Sequence, residues 1–191
     1  MTTTISTNQL KDLIQYRLPE YQALALDIHE HPEVSNYEFY SSAALIKQLE
    51  KERFWVEKEV AGHRTAFDAR YISNKPGPTI AFLAEFDALP GIGHACGHNL
   101  FGTYSVLAAS IVKQFIDETG GEIRVYGTPG EEGGENGSAK GSFVREGFFE
   151  DVDVALCVHP AFRYGKTTES LANDPVDIKS VSYTHLRAHE T

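Results

Sequence analysis

The chain has 191 residues, with 17 basic and 27 acidic side chains and a formal net charge of −10. Hydrophobic residues make up 41% and charged residues 23%, the balance of a soluble globular domain with a sizeable core. The acidic excess excludes a non-specific polyanion binder, which needs clustered Lys and Arg, so no nucleic-acid partner is expected.

The most apolar stretch, residues 100–115, is broken by Tyr104, Ser105, Ser110 and Lys113 and reads as a core helix. It is too polar for a membrane span, and no membrane partner is expected. The first residues, MTTTISTNQLKDL, lack a basic region followed by an apolar one, so no secretory signal is read there. Two cysteines far apart in the chain, Cys96 and Cys157, make no disulfide framework and favour a reducing compartment, with the cytoplasm expected.

In chain order, apolar positions from Leu10 to Ile28 recur with a helical period over residues 8–30. Pro19 predicts a kink there, or a short helix followed by a longer one, and Pro32 closes the segment. Ser35 with Glu38 three residues on has the form of a capping box opening a helix through Ala43–Leu49. Strand-like runs follow at 55–60 and 65–72, then the turn cluster Lys75-Pro76-Gly77-Pro78 and an apolar strand over 79–84. That strand is apolar on both faces, as in a covered sheet. A loop from Leu89 to His98 leads into a helix near 101–118, which Gly120-Gly121 ends. A strand over 122–127, a loop over 128–137, a helix over 139–146 and a strand over 152–158 complete the pattern. Helices alternating with hydrophobic strands predict an α/β layered fold with a largely parallel sheet.

Three clusters carry chemistry, each just past a predicted strand. In His94-Ala95-Cys96-Gly97-His98 a thiolate and an imidazole two residues apart suit one divalent ion, zinc first. In Gly130-Glu131-Glu132-Gly133-Gly134 adjacent carboxylates can divide metal binding from general-base work, with glycines permitting close approach. His159 ends the apolar run Val154–Val158, where ligands of α/β folds gather. Taken singly, each has an ordinary explanation: a chance triplet with a packed thiol, a solvated acidic turn, a packing histidine. Their convergence past strand ends gives them weight. Asp87, just after the strand over 79–84, suits a proton acceptor behind a ligating imidazole, or a turn cap. A thiol hydrolase using Cys96 with His94 or His98 is the weaker reading, since residues so close in sequence seldom supply that geometry.

At these residues the chain resembles the dinuclear metallo-amidohydrolases of metallopeptidase family 20, in the branch of aminobenzoyl-glutamate hydrolases, auxin-conjugate hydrolases and Xaa-Arg dipeptidases. The matching text is AEFDALPGIGHACGHN from Ala84, TPGEEGG from Thr128, VHP at Val158 and IHEHPE from Ile28, covering about residues 10–179. The resemblance implies a zinc-peptidase-like α/β catalytic domain with a mostly parallel central sheet flanked by helices. It implies metal ligands at Cys96, His98, Glu132 and His159, a general base at Glu131 and the motif aspartate at Asp87 behind the metal. Glu85 stands where other branches place a ligating histidine, and its role is open; His94 is read as supporting or structural.

The implied cofactor is two divalent ions per site, zinc, manganese or cobalt. The implied reaction is metal-dependent hydrolysis of the amide bond of an N-acyl or N-aminoacyl amino acid, in a homodimer when full length. Family members are about twice as long, with an inserted lid and dimerisation domain, and Thr168–Ala172 with Asp177–Lys179 resembles the approach to it. Residues 1–179 are therefore expected to be the first part of the catalytic domain, truncated before the insert and of little activity alone. The tail 180–191 resembles no part of the family and reads as foreign sequence. The alternative is a non-catalytic metal-binding or interaction domain.

Overall fold

The computed structural model describes residues 6–134 and 136–165. The proposed insert approach and the tail from Ser180 lie outside the described residues. The elements are α1 (Thr7–Glu30), α2 (Phe39–Lys51), β1 (Trp55–Lys58), β2 (Phe67–Ile72), β3 (Thr79–Ala84), α3 (His98–Thr119), β4 (Glu122–Gly127), α4 (Ala139–Arg145) and β5 (Val154–Leu156). The strands form one sheet in the order β1-β2-β4-β3-β5. β1–β2 and β2–β4 are antiparallel, whereas β4–β3 and β3–β5 are parallel. The parallel half matters for function, because the carboxyl ends of β3, β4 and β5 open on the same edge.

Alternation along the strands sorts the two faces. Ile123 and Val125 of β4, Phe82 and Ala84 of β3, and Phe67 and Ala69 of β2 enter one core with Tyr21, Ile28, Leu45, Leu49, Val106 and Ile111 of α1, α2 and α3. Tyr126, Ala81 and Leu83 point the other way and pack with Ala139 and Phe143 of α4 and with Phe148 and Phe149. The sheet is thus covered on both faces, the three long helices on one and α4 on the other, which is why β3 carries no clear polar face.

Two local expectations are corrected. Pro19 does not divide the first helix, since α1 runs unbroken from Thr7 to Glu30. Both Pro19 and Gln15, whose carbonyl loses its helical partner, lie away from the buried core, so water can take the place of the missing N–H. Ser35 and Glu38 do not form a capping box. Glu38 is the N-cap of α2 but its side chain makes no cap bond, and both side chains are drawn elsewhere by tertiary partners. A true capping box opens α1 instead, where Gln9 N donates to Ser6 Oγ at 3.2 Å and Ser6 N donates to Gln9 Oε1 at 2.9 Å.

Candidate metal centre

β3 ends at Ala84 and delivers Glu85 and Asp87, and β4 ends at Gly127 and delivers the loop with Glu131 and Glu132. β5 leads to His159, and α3 starts at His98 itself. Gly97, the N-cap of α3, has φ +78°, and a Cβ there would lie 3.0 Å from the Pro160 ring. Only glycine both turns the chain between Cys96 and His98 and lets the His159–Pro160 segment approach.

His98 is the centre of the cluster and is 1% exposed. Its Nδ1 lies 2.8 Å from Asp87 Oδ1 and 3.1 Å from the Asp87 carbonyl, a position for an N–H donor. Nε2 is thereby left as the free lone pair, 3.2 Å from His159 Nε2, 3.1 Å from Glu85 Oε2 and 3.7 Å from Glu132 Oε1. His159 repeats the arrangement, with Nδ1 2.7 Å from the Pro160 carbonyl and Nε2 turned to His98. Burial opposes charging His98, but the hydrogen bond to Asp87 and the charges of Asp87, Glu85 and Glu132 raise its pKa above the ordinary value. Burial would raise the Asp87 pKa, yet hydrogen bonds from His98, Glu132 N–H and Ser35 hold it below the usual range.

Donor atoms of Glu85, His98 and His159 all lie within 4.8 Å of one another. Two imidazole nitrogens facing each other at 3.2 Å repel unless a proton or a cation lies between them. Glu85 Oε2 adds a buried oxygen with no hydrogen-bond partner, directed at the same place. Two imidazole nitrogens and a carboxylate are a donor set that fits a divalent transition ion, and beside it Glu132 Oε1 lies 3.7 Å from His98 Nε2. The thiol of Cys96 shares a hydrogen bond with Glu132, which, with burial and with the Glu132, Asp87 and Glu85 charges, pushes its pKa up to about 11. Coordination to a divalent ion reverses such a shift by deprotonating the thiol.

Of the residues singled out from sequence, His98 and His159 meet with Glu85, Asp87 holds His98 from behind, Glu132 Oε1 stands 3.7 Å from His98 Nε2, and Cys96 reaches the group through its hydrogen bond with Glu132. Glu131 faces another partner: its Oε2 accepts from Ser138 Oγ at 2.8 Å and pairs with Lys140 Nζ at 2.8 Å. Lys140 also pairs with Glu85 Oε1, so one ammonium ties both carboxylates. Burial opposes its charge, but Glu85 and Glu131 raise its pKa. Glu85, open in the sequence reading, joins the imidazole pair. Lys140 had no signal in the sequence, because nothing local distinguishes it from a surface lysine of a short helix. His94 is buried, and its ring lies 6.2 Å from that of His29. No helix among the described residues is long and apolar enough to cross a membrane.

No family model matches the chain. Individual relatives do. One of the subunits of the p-aminobenzoyl-glutamate hydrolase of Escherichia coli is 40% identical over 184 residues, 86% of this chain and 37% of that protein. The Xaa-Arg dipeptidase of Mus musculus is 32% identical over 82% of this chain and 38% of its own length. Among solved structures, a putative aminohydrolase from methicillin-resistant Staphylococcus aureus superposes with a TM-score of 0.68 at 26% identity, covering 78% of this chain and 41% of that one. A dinuclear metal-binding peptidase of the M20 family from Bacillus subtilis gives 0.63 at 26% identity, covering 72% and 41%. The chain spans about two fifths of the length of the relatives it matches. On the shared α/β fold and these relatives, the chain belongs to the M20 family of metallopeptidases and amidohydrolases.

Proposed function

We propose that the protein is a metal-dependent amidohydrolase that cleaves the amide bond of an N-acyl or N-aminoacyl amino acid. The observation that carries this reading is the pair of imidazoles, each tied through Nδ1, whose Nε2 atoms face each other beside the unpartnered oxygen of Glu85. Cys96, His98, Glu132 and His159 would hold the ions, zinc, manganese or cobalt and two per site, with Glu85 as a further ligand. A bound divalent cation supplies Lewis acidity toward the amide carbonyl and makes water acidic enough to lose a proton near neutral pH.

The chain's own residues supply the rest. Asp87 accepts the His98 Nδ1 proton and so keeps Nε2 available. Glu131 takes the proton of the attacking water and passes it to the leaving amine. Ser138 and Lys140 hold that carboxylate in place. The glycines on both sides of Glu131-Glu132 leave room for the substrate backbone. Free Cys96 and Cys157 suit a cytoplasmic enzyme, and a homodimer belongs to the full-length protein in this reading, with residues 1–179 the first part of its catalytic domain.

The test uses the intact full-length protein, of which residues 1–179 are the first part of the catalytic domain in this reading, loaded with Zn²⁺, Mn²⁺ or Co²⁺, and a panel of N-acyl amino acids and dipeptides. Hydrolysis that chelation abolishes is expected, with Glu131→Gln losing turnover while keeping its metal. Hydrolysis that survives exhaustive chelation overturns the reading. Stoichiometric metal with no hydrolysis over the whole panel moves it to a non-catalytic metal-binding domain.

A further inference from the structure

The Ser35–Glu38 segment has the pattern of a helix cap and performs a different task. Ser35 Oγ donates to Asp87 Oδ2 at 2.8 Å, the oxygen that also accepts the Glu132 N–H at 2.8 Å. Asn36 Nδ2 donates to the Gly137 carbonyl at 3.2 Å, and its Oδ1 lies 2.7 Å from His63 Nδ1. Glu38 Oε1 accepts from Gly130 N–H at 3.0 Å and from Asn36 N–H at 2.7 Å, while Oε2 accepts from Thr65 Oγ1 at 2.8 Å. The segment thus reaches the acidic loop at its start, its middle and its end.

Energetics argue that Glu38 is there for geometry. It is fully buried, and no Lys, Arg or His pairs with it among the described residues. An unpaired buried carboxylate is costly, and an apolar residue of similar size would stabilise the fold more. What the carboxyl group offers, and an apolar residue does not, is two polar atoms that fix three partners at once. The contact surface agrees: a Cβ on Gly130, which has φ +75°, would lie 2.6 Å from Asn36 Nδ2. Asn36 itself has φ +65°, a left-handed conformation that asparagine tolerates better than most residues.

We propose that Ser35, Asn36 and Glu38 form a brace that sets the shape of the Gly130–Gly137 loop, and with it the placement of Glu131 and Glu132; they are positioning residues for the site assigned under the amidohydrolase reading. The brace acts through Gly130, Gly137 and Asp87.

The test measures amide hydrogen exchange over residues 128–138 and Co²⁺ affinity in the full chain. Glu38→Gln keeps an acceptor for Gly130 and Asn36 and can donate to Thr65, so it retains slow loop exchange and native Co²⁺ affinity. Glu38→Ala speeds exchange in the loop while β3 and β4 stay protected, and weakens Co²⁺ binding about ten- to a hundredfold, as loss of supporting hydrogen bonds behind ligands does. Asn36→Gly, which suits the left-handed backbone, moves both readouts the same way and serves where Glu38→Ala does not fold. Loop exchange unchanged in Asn36→Gly, or a Gln variant that loses as much as the Ala variant, overturns the brace. Absence of Co²⁺ binding in the unsubstituted chain would count against the amidohydrolase reading, and loop exchange would still decide the brace.

Discussion

Asp87 divides its two oxygens between two tasks. Oδ1 orients the imidazole of His98, and Oδ2 gathers Ser35 and the Glu132 N–H. Asp87→Asn can satisfy only one side: with its oxygen on His98, its NH₂ confronts the Glu132 N–H. Metal affinity is expected to fall about ten- to a hundredfold in calorimetric titration, with the fold retained. Gly97→Ala should act by strain, because its φ of +78° disfavours any side chain and the Pro160 ring stands 3.0 Å from the new methyl. Its expected signature is a loss of Co²⁺ affinity larger than the loss of thermal stability. At this scale, the sequence exposed residues whose neighbours in the chain share their chemistry, such as Cys96 with His98 or Glu131 with Glu132. It hid Lys140 and Asn36, whose partners are remote: Lys140 to Glu85 spans 55 positions and Asn36 to Gly137 spans 101.

Among the elements, α4 is the least able to hold itself. It has seven residues, and Ser138 at its N-cap makes no side-chain cap bond, its hydroxyl going to Glu131 instead. A helix so short depends on packing. Phe143 supplies it, fully buried with ring centroids 5.2 Å from Tyr126 and 4.6 Å from Phe148. Phe143→Ala is expected to cost about 3–5 kcal/mol in denaturant unfolding. It should also loosen Lys140 from Glu85 and Glu131, seen as faster hydrogen exchange in residues 139–145. Element existence was legible because periodicity is local, and α1, α3, β3 and β4 were all anticipated. Boundaries and caps were not, since a Ser-x-x-Glu pattern looks the same whether its side chains bond the next turn or a loop far along the chain.

For the molecule as a whole, the face of the sheet under α4 carries a charge cluster that contributes to its acid behaviour. Arg124, 2% exposed, holds Glu122 and Asp151, with Asp151 at 2.7 and 2.6 Å. The hydrogen bond from Arg124 holds the Asp151 pKa below the usual carboxylate range. A carboxylate lowered on folding stabilises the native state above its unfolded pKa, and that contribution fades as pH falls through the folded value. The stability gap between the unsubstituted chain and Asp151→Asn should therefore be present at neutral pH and close in strong acid, by denaturant titrations across pH. Asp151 is largely exposed, so the gap is modest. At the other margin, β5 pairs with β3 alone among the described residues, and Val154 and Leu156 are exposed. Leu156→Lys is expected to lower self-association in light scattering, because it puts a charge where an apolar side chain is exposed among the described residues.

The braced loop also bears on the order in which the molecule is made. Glu38 and Gly130 are 92 positions apart, so on a chain synthesised from its amino terminus the anchor waits for its partner through most of the sheet. Contacts of such separation form late. Glu85, Cys96 and His98 emerge before Glu132 and His159, so in the proposed ligand set a cation arriving early meets an incomplete site. Loading is therefore expected to follow folding rather than to nucleate it.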